Sequence, residues 1–159
     1  MTNQHTSLSV GRSGELLALA DRCEKASEDE TLTILYDAWD TLADHSAAFR
    51  RYAIRHVSRF TRLLEGGGYL DAALLLVPEE CLFTARTVWD NERTASLGFI
   101  SRYESKKPHG MLLRYWVDEH QSIAVTPALA LTAAALRAQA TNNTISEKAT
   151  PTPHKERSE

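Results

Sequence analysis

Apolar residues recur at helical spacing from 13 to 64, alternate with polar ones in segments from 81 to 117, and return to helical spacing after 126. Leu16, Leu17, Ala20, Cys23 and Ala26 define a first helix starting at Ser13. Ser27 followed three residues later by Glu30 has the spacing of a capping box, in which each residue's side chain serves the other's backbone N–H. It opens a second helix with Leu32, Leu35, Trp39 and Leu42 along one stripe. Phe49, Tyr52, Ala53, His56, Val57, Phe60, Leu63 and Leu64 mark a third, strongly amphipathic helix. No Gly or Pro separates the second from the third. A break near residues 44–46 is favoured over one long helix, because His45 and Ser46 interrupt the stripe and Ser46 can cap a new helix. Gly66-Gly67-Gly68 ends the third helix, since glycine takes the left-handed cap conformation without strain. The same triplet reads as a cap and connector more readily than as a hinge.

Tyr69 to Leu76 reads as a short helix stopped at Val77-Pro78. Cys81 to Trp89, Leu97 to Glu104 and Met111 to Val117 are rich in aromatic and β-branched residues and predict three strands. The short connectors, Asp90 to Ser96 and Ser105 to Gly110, predict an antiparallel meander. In the middle strand Leu97, Phe99 and Tyr103 alternate with Gly98, Arg102 and Glu104, which would make the second set the wet face. Ile123-Ala124-Val125 predicts a short edge strand. Thr126-Pro127 supplies an N-cap and first position for a last helix, Ala128 to Ala140, apolar nearly all round and so expected to be buried. The class predicted is α+β: N-terminal amphipathic helices, then a three-stranded antiparallel β-meander packed by a short helix and an Ala-rich C-terminal helix. Residues 13–140 form one domain, with a helical part over 13–65 and a sheet part over 69–140. Residues 1–12 and the polar tail 141–159 are expected to be disordered.

Charge changes this picture most. Between 28 and 44 stand Glu28, Asp29, Glu30, Asp37, Asp40 and Asp44 with no Lys or Arg; between 50 and 62 stand Arg50, Arg51, Arg55, Arg59 and Arg62 with no Asp or Glu. Arg51, Arg55, Arg59 and Arg62 are spaced four, four and three and stack as one ridge, with Arg50 apart from it. Asp37, Asp40 and Asp44 form an acidic ridge opposite the stripe of the second helix. Two oppositely charged ridges point to electrostatic partner choice. The formal net charge of −3 argues against a protein that grips nucleic acid over its whole surface. The polar Met1 to Ser9 lacks the plan of a secretory signal and no apolar run is long enough to cross a bilayer, which predicts a cytoplasmic chain with no membrane partner. Cys23 and Cys81 are read as reduced and buried, and Asn142-Asn143-Thr144 as a glycosylation pattern without meaning there.

Candidate chemistry is thin. Asp118-Glu119-His120 follows the third predicted strand, but adjacent residues on extended chain point to alternate sides. His109 is most simply a turn residue in Lys106-Lys107-Pro108-His109-Gly110. The six histidines show no paired ligand spacing, the two cysteines stand 58 positions apart, and the aspartates lack the glycine of a calcium loop. No nucleophile elbow or phosphate loop occurs. Neither a catalytic residue nor a metal or cofactor is expected.

Two stretches carry a resemblance: Tyr69-Leu70-Asp71-Ala72-Ala73-Leu74-Leu75-Leu76-Val77-Pro78-Glu79, and Thr126-Pro127-Ala128-Leu129-Ala130-Leu131-Thr132-Ala133-Ala134-Ala135-Leu136-Arg137-Ala138. Together they resemble small prophage-encoded proteins of the phage ABA-sandwich kind, and Leu16 to Lys25 looks like their usual opening. Residues 28–64 are extra or divergent, and Glu80-Cys81 stands where that family more often has a glycine and an aromatic. The resemblance implies the fold and a phage origin and carries over no functional residue. The expected function is a non-enzymatic, phage-derived binding protein that docks by charge on a host protein or ribonucleoprotein complex, an inhibitor of host defence in the manner of anti-CRISPR proteins. Arg51, Arg55, Arg59, Arg62, Asp37, Asp40 and Asp44 would make the contact. Two alternatives stay open: a nucleic-acid accessory protein using the arginines on phosphates, and a self-associating structural protein, a homodimer whose ridges pair.

Overall fold

A computed structural model describes residues 5–78, 81–90, 93–106, 110–111 and 113–148. The helices are α1 (His5–Lys25), α2 (Thr31–His45), α3 (Ala47–Glu65), α4 (Tyr69–Leu74) and α5 (Pro127–Lys148), and the strands are β1 (Cys81–Asp90), β2 (Arg93–Lys106) and β3 (Leu113–Ala124). The fold is α+β, with one open antiparallel sheet ordered β1-β2-β3.

The helix boundaries follow their caps. The Glu30 carboxylate accepts from the Ser27 N–H at 2.8 Å, closing the turn Glu28–Glu30 ahead of α2. Two helices, not one, carry the charge reversal. Ser46 leaves helical geometry at φ −129°, ψ 115°, and its Oγ accepts from the Phe49 N–H at 3.1 Å. α3 ends in a Schellman motif: Gly68 N–H donates to Leu63 O at 2.7 Å, Gly67 N–H to Leu64 O at 3.1 Å, and Gly67 sits at φ +74°. Thr126 Oγ1 accepts from the Leu129 N–H at 3.2 Å, so Thr126-Pro127 opens α5 as its pattern predicts.

The first and last helices both overrun their expected limits. α1 begins at His5, within the stretch expected to be disordered, because nothing from His5 to Arg12 stops a helix and Gly11 and Gly14 stand in open space. α5 runs on to Lys148, eight residues beyond Ala140, where a disordered tail was expected. Thr141 Oγ1 donates to Arg137 O at 3.1 Å, and Asn142 Oδ1 accepts from Arg102, anchoring the extra turn to the sheet. The outer ends of the two expected disordered segments, 1–4 and 149–159, lie outside the described residues.

The meander is longer than its pattern indicated. β3 extends through Ala124, so Ile123 and Ala124 pair with Leu97 and Ser96 of β2 as its continuation, not as a separate edge strand. The facing of β2 is also the reverse of the expected one. Gly98 points at α5, and a Cβ there would stand 2.3 Å from Ala130 C and O. Ser96, Gly98 and Ile100, with Ser122 and Ala124 of β3, are buried beneath the helix; Leu97 and Phe99 face the uncovered side. Small residues line this contact because an alanine-rich helix has no long side chains to bridge a gap. Backbone must approach backbone to exclude voids.

α5 is the centre of the molecule. Leu129 to Leu136 are fully buried, with β2 and β3 on one side and α1, α4 and α2 around the remainder. The short helix α4, expected to cover the sheet, packs against α5, α2 and α3 instead. Arg137 ties the layers: it donates to Glu24 at 2.6 Å and Asp21 at 3.0 Å of α1, and to the Ser122 hydroxyl of β3. The Glu24 carboxylate, chiefly, holds the Arg137 proton more firmly than usual. Three residues of the expected apolar stripes, Leu17, Leu32 and Val57, are exposed; Leu19, Ile34 and Ala38 take their places in the core.

Candidate macromolecule-docking site

Among the described helices, α3 packs chiefly against α2 and α4. Its inward side is set by aromatic rings. Trp39 of α2 stacks on Phe60 and meets Phe49 edge-on at 5.3 Å, and Tyr36 meets Phe60 edge-on at 5.9 Å. Phe49, Ala53, Phe60 and Leu64 are thereby buried. With Phe49, Ala53 and Phe60 facing in, Arg51, Arg55, Arg59 and Arg62 fall on the far side within an arc of about 80°, at about 100° per residue. All four are exposed. Among the described residues none of the four forms an ion pair. Arg62 Nε donates to Ser58 O at 3.2 Å within its own helix. Arg50 turns back to Ala43 O at 2.9 Å and Asp44 O at 3.2 Å, leaving the ridge and tightening the α2–α3 corner.

The acidic ridge is divided. Asp37 pairs with Arg22 of α1 at 2.7 Å, while Asp40 and Asp44 are exposed. No ion pair among the described residues joins the aspartates to the arginines of α3. A folded chain that left both ridges to neutralise each other would offer no charge to a partner; here the arginine ridge stays open. Ile54, 72 % exposed, flanks the arginines on the outward side of the helix.

Asp118 and His120 lie inside β3, not after it. Two positions apart on a strand, they share one side, where Asp118 lies opposite Arg102 of β2. Arg102 grips Asp118 through Nε at 3.2 Å and Nη2 at 2.8 Å, and also donates to Asn142. His120 Nε2 lies 3.7 Å from Asp118 Oδ1, buried and without a hydrogen-bond partner. Glu119 points the other way and is exposed. The cluster fastens β2, β3 and α5 together, with all three guanidinium nitrogens donating to the carboxylate or the amide. His109 lies outside the described residues. Cys23 is buried in α1 and Cys81 half-buried at the start of β1, with no disulfide between them.

A groove of about 450 Å³ opens beside the first half of the ridge. Arg51, Tyr52, Arg55 and His56 form one wall, Val77 and Pro78 the other. Nothing in the linear pattern ties Arg51 or Arg55 to Val77 or Pro78; α4 and the turn after it bring them alongside. Among the described residues no group of three or more His, Cys, Asp and Glu could hold a metal ion, and no helix is long and apolar enough to cross a membrane. Family models, curated proteins and solved structures give no match to this chain.

Proposed function

We propose that the protein is a non-enzymatic binding factor that docks the outer side of α3 on an acidic surface of another macromolecule. The observation that supports this is the open ridge: Arg51, Arg55, Arg59 and Arg62 stand exposed on one edge of a helix braced from behind by Trp39, with no carboxylate of the described chain neutralising them. A guanidinium fork fits a carboxylate or phosphate with two parallel hydrogen bonds, and a ridge of four repeats that fit along a line. Asp40 and Asp44, exposed on the neighbouring helix, would repel a misplaced acidic partner and so fix its orientation. Exposed Ile54 beside the ridge favours a protein partner over a phosphate backbone, because an apolar side chain gains from a desolvated protein contact and nothing from a phosphate. Under the phage origin that residues 69–79 and 126–138 imply, the partner would be a host complex, and the mechanism would be blocking by occupation.

The test compares the wild-type chain with Arg55→Glu/Arg59→Glu and with Ile54→Ser as baits in a bacterial lysate. The expected outcome is a partner retained by the wild type and lost with both variants. A partner held equally by all three would remove the basis for this reading. Binding to duplex DNA that survives Ile54→Ser, with a salt slope flattened by about one unit per arginine removed, would instead assign the ridge to phosphates.

A further inference from the structure

We infer that the groove beside Arg51 and Arg55 is a binding site for a small organic anion, an apolar body carrying a phosphate or carboxylate head. Its size of about 450 Å³ falls within the range of about 300–1,000 Å³ typical of small-molecule sites. Its two halves differ in chemistry. One side offers the Arg51 and Arg55 guanidinium groups, one helical turn apart and without ion-pair partners among the described residues. The other is apolar, made by Leu75, Val77 and Pro78 where the chain leaves α4. Tyr52 and His56 stand beside the arginines on the same wall, their rings 4.3 Å apart and tilted by 35°.

Two further facts select an anion. Ser46 lies at its end, and the Ser46 oxygen already accepts from Phe49 N–H, which leaves the hydroxyl proton to donate outward. The same end is the start of α3, where unpaired N–H groups give a positive potential that adds to that of the two arginines. A neutral apolar molecule would leave both guanidinium groups idle, and a bare inorganic anion would leave Val77 and Pro78 wet. A ligand with both parts uses the whole surface. This site shares Arg51 and Arg55 with the docking ridge but needs neither Arg59 nor Arg62.

Phenyl phosphate, benzoate and phenol separate the contributions, with the full chain observed by amide chemical shifts. Phenyl phosphate or benzoate should bind saturably at millimolar concentrations or below, shifting residues 46–56, 75–78 and Gln139, and phenol should bind at least about tenfold more weakly. The relative strength of the first two assigns the head group. Arg51→Gln/Arg55→Gln should weaken the anion at least about tenfold, while Arg59→Gln/Arg62→Gln should leave it unchanged. Both pairs are exposed, so the fold is retained in either variant. Equal binding of phenol, shifts centred elsewhere, absence of saturation, or equal losses in the two arginine variants would overturn the inference. The last result would mark diffuse attraction to the ridge in place of a site.

Discussion

The Trp39 indole lies flat on the Phe60 ring, with centroids 4.1 Å apart and planes 16° from parallel. That contact joins the middle of α2 to the last third of α3 and fixes how α3 is rotated about its own axis. Since Phe60 faces inward, Arg59 and Arg62 on either side of it in sequence cannot. Phe60 is 1 % exposed, so Phe60→Ala both opens a cavity and removes the stack. The expected loss is about 3–5 kcal/mol in chemical denaturation. Phe60→Leu, which refills most of the volume, should lose less. A loss near zero for the alanine variant would mean that the hairpin is not held by its aromatic seam.

Of the glycines in the chain, Gly98 leaves the least room for a side chain. A methyl group there would meet Ala130 C and O at 2.3 Å and Leu131 N at 2.4 Å, all backbone atoms that no rotamer change can move. Gly98→Ala should therefore destabilise by at least about 1–3 kcal/mol, the usual cost of overpacking, although alanine is ordinarily the better residue in regular structure. Gly98→Val should prevent folding. A Gly98→Ala variant as stable as the wild type would show that α5 can lift from the sheet without loss.

These two contacts also show where the amino-acid pattern speaks and where it is silent. The break at Ser46, the cap at Gly67 and the start of α5 at Thr126-Pro127 were legible because each depends on residues within a few positions of each other. The arginine ridge was legible for the same reason: helical spacing alone places four residues on one edge. The direction in which β2 faces was not. Alternation of Leu97 and Phe99 with Gly98 and Arg102 predicts a large-residue core side, but the deciding partner is Ala130, 32 positions away, whose small side chain makes glycine the buried residue. The groove is illegible in the same sense, since Arg55 and Val77 face each other across it only after α4 has folded back. The Arg102–Asp118 pair was hidden until the true length of β3 put Asp118 within the ladder.

Cys23 reports on the packing of α1 against α5. Burial pushes its thiol up from 9.0 to about 12, the desolvated thiolate being the disfavoured form. The sign follows from the proton count. Between these two values the folded chain keeps the proton that the unfolded chain gives up, so stability is intact below 9.0 and declines as pH rises toward about 12. The slope from this group is about 1.4 kcal/mol per pH unit. Cys23→Ala should remove that component of the alkaline loss when compared with the wild type at matched pH. In the native protein at mildly alkaline pH, iodoacetamide should leave Cys23 unmodified until denaturant is added. Rapid alkylation of native Cys23 would contradict its burial in the core.

The ridge and the fold should separate cleanly under mutation. Arg51, Arg55, Arg59 and Arg62 are exposed and contribute no ion pair to the described structure, so replacing them changes the surface potential and little else. Arg55→Glu/Arg59→Glu should stay within about 0.5 kcal/mol of wild type in stability per substitution. The same variant should lose the salt-sensitive part of any binding that the outer side of α3 performs, because exposed charges act over a Debye length of about 8 Å at physiological ionic strength. Asp37→Asn gives the contrast: it removes the pair with Arg22 that links α2 to α1, and as a half-exposed pair its loss should cost no more than about 1 kcal/mol while leaving the arginine side of α3 untouched. If charge reversal at Arg55 and Arg59 unfolds the protein, those side chains hold structure, and the docking role assigned to them loses its physical support. Stability preserved with binding lost is the outcome that a dedicated interaction edge requires.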